Sequence, residues 1–141
     1  MRYVLIAMRN ISSKRMRNKV PSLKKILIVG PAWVGDMVMA QTLFSLLKQQ
    51  GPCHITVLAA IWSHGLLARM PEVDATITLP FGHGDFLMRA RWALGRTLRD
   101  RHFDQAIVLT NSWKSAIIPY AAKIPLRTGW RGEMRYGLLN D

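Results

Sequence analysis

Apolar positions along the chain alternate between short unbroken runs and stripes with a helical repeat. The run Ile26-Leu27-Ile28-Val29 ends at Gly30 and reads as a strand. Downstream, Met37, Met39, Ala40, Leu43, Phe44, Leu46 and Leu47 cover one broad helical face, Gln41, Thr42, Ser45, Lys48 and Gln49 cover the other, and Gly51 is a stop. His54 to Ala59 predicts a second strand, Trp62 to Met70 a short helix stopped by Pro71, and Ala75 to Leu79 a third strand ending at Pro80. After the turn Phe81-Gly82-His83-Gly84-Asp85, a helix is predicted with Leu87, Ala90, Leu94 and Leu98 on one side and Arg89 and Arg96 on the other. Gln105 to Leu109 predicts a fourth strand, and Thr110-Asn111-Ser112 leads into a helix through Ala122. Alternating strands and helices without internal repeats predict an α/β fold, whose sheet binds ligands at the carboxyl ends of its strands.

The junction Gly30-Pro31-Ala32-Trp33-Val34-Gly35-Asp36 is where chemistry is expected, because a glycine-bracketed loop delivers a carboxylate to the start of a helix. Gly30 and Gly35 have the spacing of a phosphate-cradling loop, but Asp36-Met37 follows where that motif needs Lys and Ser or Thr. A dinucleotide fingerprint also fails, since the residue two after Gly30 is Ala32. What remains is an acid at the positive end of a helix dipole, which favours negative charge. Such an Asp36 either accepts a proton from a closely held substrate hydroxyl or only satisfies backbone N–H groups of the first turn; spacing leaves both readings open.

A length of 141 residues with half of them apolar suits one domain with its own core. Of the net charge of +12, residues 1–25 hold eight basic side chains and no acid, so the body carries an ordinary surplus. Basic character is therefore mostly a tail, which argues against a nucleic-acid module. The apolar stretch Tyr3 to Met8 is too short for a signal-peptide core or a membrane span. The segment reads as an arm, a membrane-surface contact or a start-site artefact, with Met8 and Met16 as alternative starts. Cys53 is expected to be a small core residue in a reduced setting, and His54, His64, His83 and His102 lack metal-ligand spacing, so no metal site is expected.

Asn111, Ser112 and Lys114 fall at a predicted strand's carboxyl end; Ser112 reads equally as an N-cap, whereas Lys114 opposes the dipole of its helix. Arg91, Arg99 and Arg101 add charge to the preceding helix, as a solvated face or toward a phosphorylated substrate. From Arg127 to Gly137 the chain is dense in glycine, aromatic residues and arginine and reads as a binding segment. No further strand or helix is expected before Asp141, which suggests part of something longer.

Four blocks, Ile28 to Gln41, Pro80 to Gly84, Asn111 to Ala116 and Arg127 to Asp141, resemble the amino-terminal half of the ADP-heptose:lipopolysaccharide heptosyltransferase II family. The resemblance runs from about Lys25 to Asp141, and the block Arg127-Thr-Gly-Trp-Arg-Gly-Glu-Met-Arg-Tyr-Gly-Leu-Leu-Asn-Asp is too unusual for chance. It implies a Rossmann-like parallel sheet flanked by helices, the amino-terminal domain of a two-domain GT-B glycosyltransferase. Residues 1–24 would be a basic extension and residues 25–141 the acceptor-binding domain, stopping before the donor-binding domain. The implied reaction is an inverting transfer of L-glycero-D-manno-heptose from ADP-heptose to the inner-core heptose of lipopolysaccharide on lipid A, without an obligatory metal or other cofactor. Asp36 would be the base, and Gly30, Trp33, Gly35, His83, Asn111, Ser112, Lys114, Arg131 and Arg135 would bind the acceptor. A cytoplasmic location is implied, with peripheral contact to the inner membrane. The competing expectation is an inactive acceptor-binding or interaction fragment, and a nucleic-acid-binding module ranks below both.

Overall fold

Ile26, Leu27, Ile28 and Val29 are all buried, because their strand lies at the centre of a sheet covered on both faces. The computed structural model describes residues 23–80, 87–130 and 135–141. Strands β1 (Lys24–Val29), β2 (Cys53–Ala59), β3 (Ala75–Thr78), β4 (Gln105–Val108) and β5 (Leu126–Gly129) form a parallel sheet in the order β3-β2-β1-β4-β5. Alternation along β1 splits the core in two. Ile26 and Ile28 pack with Met37, Leu43, Phe44 and Leu47 of helix α1 (Val34–Gln50), while Leu27 and Val29 join a cluster with Leu98, Ala116 and Ile118 on the opposite face. Helix α2 (His64–Leu67) is short; α3 (Met88–Thr97) and α4 (Trp113–Ala121) pack on one another. This is the predicted α/β, Rossmann-like architecture.

Three local expectations are corrected. In place of one helix over Trp62 to Met70, a 3₁₀ turn at Ile61–Ser63 runs into α2 and the chain then turns before Pro71. In α3 the buried face is only partly the leucine stripe: Leu98, just after the helix, is buried and Leu94 packs half-buried against the same cluster, but Leu87 is exposed, and Arg91 and Gly95 face inward. The reason is Gly95, whose missing Cβ would sit 2.5 Å from Ala121 Cβ and 2.6 Å from the Ile118 carbonyl oxygen, so α3 rotates to lay its one bare position on α4. The third correction is β5, an edge strand inside the segment read as a loop. Its outer edge is covered by the last residues: Arg127 N donates to Asn140 Oδ1 at 2.7 Å, and the Asn140 and Asp141 amides donate to the Arg127 carbonyl.

A carboxylate pair fastens α1 to the β2–β3 side. Asp74 Oδ2 accepts from Lys48 Nζ at 2.6 Å and from Ile55 N at 2.7 Å, while Glu72 accepts from Ser45 Oγ and Gln41 Nε2. Partial burial pushes the Asp74 carboxyl up, but the Lys48 and Ile55 hydrogen bonds outweigh it and hold the group below the ordinary carboxylate range. The Ser45 hydrogen bond does the same for Glu72. Both groups bind protons less tightly folded than unfolded, so their stabilisation is complete above the unfolded values near pH 4 and is lost as pH falls through the folded ones. Urea unfolding followed between pH 6 and pH 3 is expected to show stability falling on acidification, with a shallower fall in Asp74→Asn.

Candidate active site

Sheet order reverses between β1 and β4, and parallel sheets leave a crevice at the carboxyl ends of the strands beside such a switch point. A cavity of about 880 Å³ lies there. Its floor is Val29 and Gly30 at the end of β1 and Leu109 and Thr110 after β4. One wall is Pro31, Ala32, Trp33 and Asp36, a second is Ile61, Trp62, Thr78 and Leu79, and a third is Arg91, Asn111, Ser112 and Lys114. Four strands thus contribute their carboxyl ends, and α1 and α4, which begin five residues after β1 and β4 end, bring Asp36 and Lys114 of their first turns to the cavity. The amino-terminal ends of these helices carry positive dipole charge, which suits an anionic or oxygen-rich ligand.

Asp36 is the third residue of α1, half-buried, and on the cavity wall. Trp33 occupies the N-cap without a side-chain capping bond, so the first-turn carboxylate faces both the helix start and the cavity. Gly30 is closely packed on the cavity floor. A Cβ on it would meet Met37 Cε at 2.8 Å and the Leu58 carbonyl oxygen at 3.3 Å, and its own N–H donates to that oxygen at 2.9 Å. Gly35, by contrast, has open space where a Cβ would go, and it does not line the cavity. Trp33 and Ile61 are each 69% exposed, Trp62 is 46% exposed, and all three line the cavity.

On the facing wall, Ser112 holds the N-cap position of α4, but its hydroxyl makes no capping bond; its carbonyl accepts from Ser115 Oγ. Lys114 follows in the first turn. Arg135, expected on the acceptor, is completely buried and does not line the cavity. Its guanidinium donates to the Thr110 carbonyl at 2.7 Å and to Asn111 Oδ1 at 3.3 Å, so it braces the β4–α4 loop from behind. Arg127 is likewise spent on the fold, donating to the Leu138 and Ile124 carbonyls and lying 5.3 Å over the Tyr120 ring. Trp130 and Tyr136 are exposed rather than plugged into the core. His83 and Arg131 lie outside the described residues.

The site therefore gathers Gly30, Trp33, Asp36, Asn111, Ser112 and Lys114 from the sequence-predicted set, takes in Arg91, for which the sequence left a solvated face or a phosphorylated substrate open, and adds residues that sequence reasoning missed, Ile61 and Trp62 among them. What turns Arg91 inward is Gly95, four residues on, a helical glycine that marks a close helix contact. A smaller hollow of about 350 Å³ lies at the other end of the sheet, around Arg99, His102 and Lys123, where Arg99 Nε donates to the Ala121 carbonyl and Asp104 accepts from Lys25 N. Among the described residues no group of three or more His, Cys, Asp or Glu is placed to hold a metal, and no helix is long and apolar enough to cross a membrane.

Comparison with known proteins bears on this geometry directly. The chain is 56% identical over 118 residues to lipopolysaccharide heptosyltransferase 2 of Salmonella typhimurium, and 57% identical over the same length to lipooligosaccharide heptosyltransferase 2 of Haemophilus ducreyi. Residues 91–141 match the profile of glycosyltransferase family 9 (heptosyltransferase). Over these residues the chain is similar to the family 9 heptosyltransferases. These alignments cover 83% of it and 34% of each relative, so the chain spans about a third of the length of the curated relatives it matches. The structure of E. coli ADP-heptose lps heptosyltransferase II superimposes with a TM-score of 0.76 at 51% identity, over 83% of this chain and 34% of that one. A family 9 glycosyl transferase from Veillonella parvula shares the fold, with a TM-score of 0.67 at 17% identity. Within this chain, the profile match begins at Arg91 and takes in Asn111, Ser112, Lys114 and Arg135.

Proposed function

We propose that residues 25–141 form the acceptor-binding part of an inverting heptosyltransferase, which moves L-glycero-D-manno-heptose from ADP-heptose to the inner-core heptose of lipopolysaccharide. The observation that carries this is Asp36, held in the first turn of α1 on the wall of the cavity at the sheet's switch point. In this reading the acceptor hydroxyl sits against Asp36, which takes its proton as the oxygen attacks the anomeric carbon of the donor. The new carbon–oxygen bond forms as the bond to ADP breaks, and ADP leaves with the electron pair. Trp33, Gly30, Asn111 and Ser112 shape the acceptor pocket, and Lys114 answers its anionic groups. Arg135 acts at one remove, by fixing the loop that carries Asn111 and Ser112. ADP-heptose is held mainly by sequence corresponding to the two thirds of the relatives that this chain does not span. The acceptor is lipid-linked, so the working place is the cytoplasmic face of the inner membrane, with peripheral contact.

The test is a chimaera in which this chain replaces the matching segment of E. coli lipopolysaccharide heptosyltransferase 2. Heptose transfer from ADP-heptose to a heptose-terminated core acceptor, read by mass, is expected to be retained. A folded chimaera that binds the donor and transfers nothing would leave the inactive-fragment reading in place.

A further inference from the structure

Arg91 is the charged side chain of α3 that the fold takes inside: it is 6% exposed, on the same helix whose Arg89 and Arg96 are exposed. It also lines the cavity, as Asp36 does. Its position is fixed from both sides. Gly95, one turn further along, lets α3 approach α4 so closely that an added Cβ would lie 2.6 Å from the Ile118 carbonyl oxygen, and Ile118 and Lys114 of α4 line the same cavity. Arg91 and Lys114 therefore face one volume from two helices packed in contact.

Both cations stand near the amino-terminal ends of their helices, where the dipole is already positive. Burial and dipole together favour an anion in this corner. A guanidinium offers five donors in a planar fork, enough to grip an oxyanion in two places while keeping bonds to the protein. At 6% exposure Arg91 itself is largely withdrawn from water, which strengthens a charge-assisted bond to an anion.

We propose that Arg91 is the anion-recognition residue of this cavity, binding a sugar-borne oxyanion, phosphate monoester or carboxylate, and so selecting charged acceptors over neutral ones. This deepens the acceptor reading given above and rests on it. Arg91 takes over the role that the sequence assigned to Arg135, which is buried behind the loop.

Three probes separate the sources of charge: a neutral methyl heptoside, its monophosphate and a methyl glucuronide, titrated calorimetrically into the full 141-residue chain. One of the anionic sugars is expected to bind at least about tenfold more tightly than the neutral heptoside, as a charge-assisted hydrogen bond provides. Whichever does identifies phosphate or carboxylate as the source. In Arg91→Gln the ratio of anionic to neutral affinity should fall to the part that Lys114 supplies, and Arg91→Lys should keep more of it, having charge without the fork. A merely structural arginine would weaken all sugars alike. As a readout on the unmodified chain, the Arg91 Nε–H resonance should move with the anionic sugar and stay still with the neutral one, whatever the variants' folding. An undiminished preference in Arg91→Gln, or an Nε–H signal indifferent to the anion, overturns the assignment. Equal binding of neutral and anionic sugars also overturns it while the acceptor reading stands. Binding of none of the three overturns both.

Discussion

Asp36→Asn is expected to lower heptose transfer by about 10²–10⁴-fold while leaving acceptor affinity nearly unchanged, when both are measured in the chimaera with E. coli heptosyltransferase 2. The split follows from where the carboxylate sits. Asp36 is the third residue of α1, half-buried at the cavity wall, and Asn has the same shape there. An amide keeps the hydrogen-bonding outline that positions a sugar but cannot take a proton. The rival role, support of the first helical turn, predicts a different pattern. Trp33 provides no side-chain cap, so a purely structural Asp36 would show its loss as reduced stability with turnover unchanged. Turnover in Asp36→Asn at the level of the parent would reject the base assignment.

The second large effect is on folding. Gly95→Ala adds a residue that favours helices by about 1 kcal/mol, yet the chain should lose stability, by roughly 1–3 kcal/mol. The new Cβ would lie 2.5 Å from Ala121 Cβ and 2.6 Å from the Ile118 carbonyl oxygen, and a backbone carbonyl cannot swing aside as a side-chain end can. Relief requires α3 and α4 to part. Gly95→Val adds two more methyl groups to the same contact, and its cooperative unfolding transition in urea should disappear. A gain in stability for Gly95→Ala, the result expected at an exposed helix site, would mean that the two helices do not pack at this distance. Because Arg91 lies one turn away, parting the helices also reshapes the cavity, so sugar binding should weaken together with stability.

Elements whose pattern is dictated by burial on known faces were legible from the residues. β1 was readable because both its faces are covered, which leaves an uninterrupted apolar run, and α1 because one face meets the sheet and the other meets water. Asp36 was legible as a candidate because a strand, a glycine loop and a helix in succession place the loop at the carboxyl end of the sheet. β5 was not, since Leu126-Arg127-Thr128-Gly129 is an edge strand of four residues that pairs with one neighbour and needs no apolar run. The face of α3 was only partly legible: of the stripe Leu87, Ala90, Leu94 and Leu98, the last two do pack on the core, but Leu87 is exposed, because backbone proximity selected Gly95, the residue without a side chain, and turned Arg91 inward.

By itself the sequence determined the α/β order, the central strand, the amphipathic α1 and the placing of Asp36 at a strand-to-helix junction, because each depends on neighbours along the chain. It also carried the likeness to the family 9 heptosyltransferases, which the alignments repeat. Only the tertiary structure decided which arginines do what. Arg91, Arg127 and Arg135 are chemically identical in the sequence, and their separation into a cavity wall, an edge-strand clasp and a buried loop brace depends on contacts between residues distant along the chain. Long-range packing fixes which guanidinium reaches the site, and that information is absent from any local pattern.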